Sequence, residues 1–218
     1  MVSEAPPARR ITVFLFDLGN VLLYFDQNIF LRRIAKHTSF GMETLKEDAK
    51  IVSLLHDYET GKFSSLQFFE RLKETGLITD QALTFDAFVP MWSDIFWMNE
   101  EMVRFVSTLK GRYKLGMISN TNEMHISFAK EHFPGLFGLF DACIFSHETG
   151  VMKPGKEIYQ AALNELHAPP EECIYIDDMI VNVEGARSLG IEGIHYVSMQ
   201  GLLDVLRHMH LFGLPFPE

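Results

Sequence analysis

The sequence predicts an α/β protein in three layers, a parallel sheet with helices on both faces, carrying a helical subdomain inserted after the first strand. Five short apolar runs, rich in β-branched and aromatic residues, read as buried strands. Amphipathic helical segments alternate with most of them, which is the pattern of a parallel sheet covered on both sides. Residues 26–98 break this rhythm with helical patterns alone.

Taken in order, the first strand is ITVFLFD, ending at Asp17. The insertion follows. It reads as QNIFLRRIAKH, METLKEDAKIVSLLHDYETG, SSLQFFERLKETG and a Phe/Trp/Met-rich segment running to Trp97, punctuated by Gly41, Gly61 and Gly76 as caps or turns. The stretch FDAFVPMWSDIFWM reads as the insertion's core and its contact with the sheet; lining a ligand pocket is compatible with that. The remaining strands are YKLGMIS to Ser119, DACIFS (141–146), ECIYIDD (172–178) and GIHYVS (193–198). NEEMVRFVSTLKG, TNEMHISFAKEHF, GKEIYQAALNELH and NVEGARSLG are the helices around them. The expected division is a core of residues 8–25 and 99–218 and an insertion of residues 26–98.

Composition narrows the function. The chain has 218 residues, 47% hydrophobic and 22% charged, as expected of a globular protein able to fold without disulfides or a structural metal. Its net charge of −10 argues against general binding to nucleic acid or anionic membranes. No apolar run approaches the length of a membrane span. The opening MVSEAPPARR is polar, and ITVFLF is too short for a signal segment. Cys143 and Cys173 sit in apolar runs without metal-ligand spacing and read as two buried core thiols, which fits a reducing, cytoplasmic setting. Monomer and homodimer both remain open.

The strand ends carry the chemistry, because ligands of open parallel sheets bind outside the carboxyl ends of the strands. There the sequence puts Asp17, Gly19 and Asn20; Ser119 and Asn120; Lys153, before a helix; and Asp177 with Asp178. Carboxylates held close together repel unless a cation stands between them, and oxygen ligands at a phosphate site suit Mg²⁺. A lysine beside them offsets charge and holds an anion. Hydroxyl, amide and backbone N–H groups donate to phosphate oxygens. A carboxylate facing a phosphoryl group can act as nucleophile. Each piece alone is weak; an Asp-Asp pair alone reads as a turn.

Together, FLFDLGN, MISNTN, GVMKPGKEIYQ and YIDDMIVNVEGARSLGI resemble the four motifs of the haloacid dehalogenase-like hydrolases, over Ile11 to Val197. The long gap from Asp17 to Ser119 is similar to that family's helical C1 cap. The opening FDLGNV resembles the subgroup of α-glucose-1-phosphate phosphatase. The phosphatase domain of soluble epoxide hydrolase shares the paired Asp and downstream Asn. The resemblance implies a Rossmann-like core and a Mg²⁺-dependent phosphatase acting on a small phosphorylated metabolite such as a sugar phosphate. Asp17 would be the nucleophile and a metal ligand, with the Gly19 carbonyl and Asp178 completing the protein ligands. Asp177 would hold a metal-bound water or orient Lys153, and Asn182 would orient the metal shell. Ser119 and Asn120, with Gly19 and Asn20, would contact the phosphoryl group. Lys153 would neutralise nucleophile and phosphate.

One departure stands out. Most phosphatases of the family carry an Asp two residues after the nucleophile, as general acid and base, and here that position is Gly19. Such help is typically worth 10²–10⁴-fold. Its loss predicts a preference for good leaving groups, and admits two other readings: a phosphate-binding regulatory protein with little turnover, and a haloacid dehalogenase, against which Asp177-Asp178 argues. His125, His147 or a cap residue would have to replace the lost acid, although packing explains both histidines equally well. Glu59 and Gly61 lie near where such caps approach the site, Ser64 or Ser65 reads as a helix cap, and Asp26 reads as a solvated hinge carboxylate. His208, His210 and the tail LPFPE read as surface and docking features.

Overall fold

The computed structural model describes residues 10–41, 49–209 and 211. At its centre lies β1 (Val13–Phe16), with β4 (Lys114–Ser119) on one side and β6 (Cys173–Asp177) on the other; β5 (Ala142–Phe145) and β7 (Glu192–His195) close the two edges, all parallel. Phe16 lies opposite both Met117 and Ile176, so Asp17 leaves β1 beside the last residues of β4 and β6. The connections diverge on either side of β1, and this opens a crevice at their carboxyl ends.

Alternation along β1 explains the layers. Phe14 and Phe16 point to one face, where they pack with Leu115, Met117, Ile174 and Ile176. Helix α5 (Glu100–Leu109) covers that face through Met102, Phe105, Val106 and Leu109, a spacing that places all four on one side of a helix. Asn99 starts α5 by accepting the Met102 N–H at 3.3 Å. Helices α6 (Glu123–His132) and α11 (Met199–His208) share this layer. Val13 and Leu15 point to the other face, beneath α9 (Lys156–Leu166) and α10 (Ile180–Arg187). One-turn helices α7 (Pro134–Phe137) and α8 (Ser146–Thr149) flank β5.

Between β1 and α5 lie four described helices: α1 (Gln27–Ile34), α2 (Ala49–Glu59), α3 (Ser65–Glu74) and α4 (Phe85–Ser93). They bury a cluster of their own, with Tyr58 stacked on Phe68 at 4.3 Å and Trp92 against Phe30 and Phe68. Ser64 and Gln67 form a capping box at the start of α3, as the capping reading expected.

Three expectations need correction. FDAFVPMWSDIFWM is not one helical segment. Helix α4 ends at Ser93, and β3 (Phe96–Met98) pairs antiparallel with β2 (Leu23–Phe25), forming a two-stranded link where the chain enters and leaves the helical part. Three residues paired with a partner so distant in sequence leave no periodic signal. Cys143 is only partly buried, because β5 is an edge strand, whereas Cys173 is fully buried on β6; both thiols are free. Strand β7 ends at His195, short of the expected Ser198. No helix among the described residues is long and apolar enough to cross a membrane. His210 and the tail LPFPE lie outside the described residues.

Candidate active site

All the expected strand-end residues but Asp177 converge on one cavity of about 160 Å³, lined by Asp17, Gly19, Asn20, Ser119, Asn120, Lys153, Asp178 and Asn182 among others. Asp17 leaves β1 with its N–H bonded to the Ile176 carbonyl at 2.9 Å. Its Oδ1 accepts the Leu18 N–H at 2.6 Å and lies 2.7 Å from Lys153 Nζ. Among the described residues nothing donates to Oδ2. Burial pushes the Asp17 carboxyl up to about 7, against the pull of Lys153 and with the repulsion of Asp177 and Asp178.

Lys153 is buried, and its ammonium has three partners: Asp17 Oδ1, Asp177 Oδ2 at 2.8 Å and the Ile118 carbonyl at 3.1 Å. Three donors meet three acceptors. Burial alone would lower its pKa, but Asp17 and Asp177 outweigh that and raise it, so the lysine is charged.

Asp177 is fully buried and saturated. Its Oδ1 accepts the Met179 N–H at 2.7 Å and Asn182 Nδ2 at 3.1 Å; its Oδ2 accepts Lys153, Asn182 and the Tyr175 hydroxyl. Burial opposes this carboxylate, yet Lys153, Tyr175 and Met179 hold it below its ordinary value. Asp178 is half-buried and borders the cavity, its Oδ2 accepting from Asn20 Nδ2 at 3.1 Å; burial raises its pKa. Asn20 reaches it from a left-handed backbone, φ 55°, which Asn tolerates well.

Oxygens of Asp17, Asp177 and Asp178 lie within 4.8 Å of one another. Proximity alone would make all three cation ligands, but saturation removes Asp177. The carboxylates with oxygens left for a cation are Asp17 and Asp178, beside the Gly19 main chain. Hard oxygen donors of this kind suit Mg²⁺, so the residues fit that ion. Asp177 orients Lys153, one of the two roles expected of it, and Asn182 donates to both Asp177 oxygens.

The Asn120 side chain is engaged at both ends by the Lys153 backbone: Oδ1 accepts the N–H at 2.7 Å, and Nδ2 donates to the carbonyl at 3.0 Å, which leaves its main chain to face the cavity. It therefore fixes the lysine. The Ser119 hydroxyl has only a 3.5 Å contact to the Asn120 carbonyl, too long to hold it, and remains available to a ligand.

Gly19 presents no side chain to the cavity. A Cβ built there would stand 3.0 Å from Cε1 of Phe25, so an aromatic ring occupies the direction a side chain would take. His125 does line the cavity, but it is locked. Its Nδ1 lies 3.1 Å from Asn122 Nδ2 and its Nε2 3.2 Å from the Trp92 carbonyl. The Asn122 amide and the Trp92 carbonyl assign a neutral ring with its proton on Nε2. Burial pushes its pKa down to about 4. His147 is absent from the lining; Gly61 packs against its carbonyl. Asp26 caps α1 through the Asn28 N–H at 2.9 Å, and His208 is exposed.

Glu59, at the end of α2, does reach the cavity. So do Phe25, Gln27, Ile95 and Phe96, for which no sequence motif exists. A second, mostly apolar cavity of about 290 Å³ opens alongside, lined by Phe30, Leu31, Leu55 and Trp92, and shares Gln27, Glu59, Ile95 and His125 with the first.

A parallel sheet whose strand ends gather a buried aspartate, a braced lysine and an acidic pair beneath a helical insertion defines a hydrolase of one recognisable class. The chain belongs to the haloacid dehalogenase-like hydrolases, whose family model matches residues 11–190. Among characterised relatives it is similar to D-ribitol-5-phosphate phosphatase of Bacteroides thetaiotaomicron, 26% identical over 82% of this chain and 88% of that protein. It is also similar to the pyrimidine 5′-nucleotidase YjjG of Escherichia coli, 29% identical over 71% of each. Among solved structures, a haloacid dehalogenase-family enzyme of Bacteroides thetaiotaomicron in complex with magnesium and inorganic phosphate superposes with TM-score 0.76 at 22% identity, covering 87% of this chain and 96% of that one.

Proposed function

We propose that the protein is a Mg²⁺-dependent phosphatase that hydrolyses a small phosphorylated metabolite, such as a sugar phosphate, through an aspartyl-phosphate on Asp17. The observation that carries this reading is the asymmetry of Asp17. One carboxylate oxygen is tied to Leu18 and Lys153, while the other is left toward a cavity that also presents Ser119 and Asp178. The two named relatives, a sugar-alcohol phosphatase and a nucleotidase, support phosphate monoesters as the substrate class.

Each residue then has a task. Lys153 holds positive charge behind the nucleophile and the incoming phosphate. Asp177, Asn182 and Asn120 keep its ammonium in place. Ser119 donates to a phosphoryl oxygen. Asp17 and Asp178 would hold Mg²⁺ with the Gly19 main chain, and the ion would supply charge neutralisation and orientation of the phosphoryl group. Burial raises the pKa of both carboxyls, and the Asp178 charge adds to the rise at Asp17, so a cation between them would favour their ionised forms.

The test is phosphate release from p-nitrophenyl phosphate, glucose-1-phosphate, ribitol-5-phosphate and a nucleoside monophosphate, with and without Mg²⁺. Release only with Mg²⁺ is expected. Metal-independent release of halide from a 2-haloacid, or no release at all, would overturn it.

Binding is expected to show in stability as well. At a concentration about 100-fold above its Kd, an ion that binds only the folded chain adds roughly 2.7 kcal/mol. For this chain length that is a rise in Tm of roughly 5–10 °C. Thermal melts with and without Mg²⁺ check this. Asp178→Asn is expected to lose most of the shift while keeping its metal-free Tm close to wild type.

A further inference from the structure

We infer that Glu59 is the general acid and base that stands in for the side chain missing at Gly19. The inference rests on the phosphatase reading of the same site and names the residue that the reading lacks.

Glu59 comes from the helical insertion, yet its side chain lines the same cavity as Asp17, Gly19, Ser119 and Lys153. It also lines the adjoining apolar cavity. It therefore stands where the two spaces meet. A phosphate monoester with its phosphoryl group over Asp17 and its organic part beneath the cap has its bridging oxygen at such a junction.

The carboxyl is also structurally unprovided for. Among the described residues it has neither a hydrogen-bond donor nor a basic partner. It ends α2, where the helix dipole disfavours a negative charge. Burial, the sole perturbing influence, pushes it up to about 7. A half-buried carboxyl with no partner among the described residues, at the wrong end of a helix, does little for the fold, and a value near neutrality suits proton transfer in both directions. The alternatives are occupied. His125 has both ring nitrogens engaged, Asn20 is no acid, and Phe25 fills the direction in which a side chain at position 19 would point.

The steps balance as follows. An Asp17 oxygen forms a bond to phosphorus as the bond to the bridging oxygen breaks. That oxygen takes the proton of the Glu59 carboxylic acid and leaves as the alcohol. The Glu59 carboxylate then takes a proton from a water whose oxygen bonds to phosphorus. The phosphorus–Asp17 bond breaks, giving inorganic phosphate, free Asp17 and protonated Glu59.

The experiment compares wild type, Glu59→Gln and Glu59→Asp on p-nitrophenyl, phenyl and benzyl phosphate with Mg²⁺. Shape varies little across the three, but the leaving group worsens from first to last. For Glu59→Gln, kcat/KM for benzyl phosphate is expected to fall about 10²-fold or more, and that for p-nitrophenyl phosphate less than about 5-fold. With p-nitrophenyl phosphate, kcat falls and a burst of one nitrophenolate per enzyme appears, because the second step has lost its base. Glu59→Asp recovers part of the benzyl phosphate rate. The Tm of Glu59→Gln stays at or above wild type, since a half-buried unpaired acid is removed. Equal losses on all three esters, no loss on any, or a loss that tracks a lowered Tm would overturn the assignment alone. A wild type that hydrolyses none of the three would overturn the phosphatase reading and the assignment with it.

Discussion

Asp17→Asn is expected to abolish phosphate release from every ester while leaving a folded protein that melts no lower than wild type without metal. The carboxylate is the atom source for the new bond to phosphorus, and an amide oxygen is a far weaker nucleophile. Loss of a nucleophile costs roughly 10⁴-fold or more, since neighbouring groups cannot take over its bond. Stability moves the other way. The folded-state pKa of Asp17, about 7, lies above its ordinary 3.8. The unfolded chain thus ionises this group first, and the carboxylate costs stability progressively from about pH 4 to pH 7. Asparagine removes that cost and keeps an oxygen for the Leu18 N–H and for Lys153, which also retains Asp177. In EDTA the Tm of the variant should therefore match wild type near pH 4 and equal or exceed it above pH 7. Residual turnover within 10-fold of wild type would remove Asp17 as the nucleophile.

The opposite signs of these two effects explain which parts of the site were legible in the sequence. Strand-end residues carry their position in the pattern itself. An apolar run that stops at Asp17, Ser119 or Asp177 states both the strand and the end of it, so the convergence of these residues followed from a parallel sheet. The division of labour among them did not. The side chains of Asn120 and Asp177 are both used by Lys153, and which lone pairs and N–H groups remain for a ligand depends on contacts that no strand-end pattern encodes. The cap side was less readable still. Glu59, Phe25 and Ile95 reach the cavity through packing between elements far apart in the chain, and the β2–β3 link that aligns cap with core is three residues on each side. The sequence places Glu59 near where a cap approaches the site, but its lack of a partner among the described residues shows only in the fold.

Lys153→Met is expected to be the most destabilising single change in the site. The side chains are close in size, and methionine suits a buried position, so packing is largely preserved and charge is what changes. In the native protein one ammonium sits 2.7 Å from Asp17 and 2.8 Å from Asp177, with hardly any exposure of any of the three. Removing one partner of a buried pair leaves an uncompensated charge, at a cost of about 3–5 kcal/mol. Here two carboxylates are left, and they repel. At roughly 2–4 °C per kcal/mol the Tm should fall by about 6–20 °C near pH 8. The loss should shrink toward pH 5, because protonating either carboxyl ends the repulsion, and Asp17 already titrates near 7 with the lysine present. Mg²⁺ should recover part of it, since the ion supplies positive charge beside Asp17. Thermal melts of variant and wild type at the two pH values, each with and without Mg²⁺, read all three effects. A pH-independent loss would mean that the methionine merely packs badly. A loss that grows as pH falls would mean that Lys153 is not the counter-charge of this cluster, and the electrostatic account of the site would fall with it.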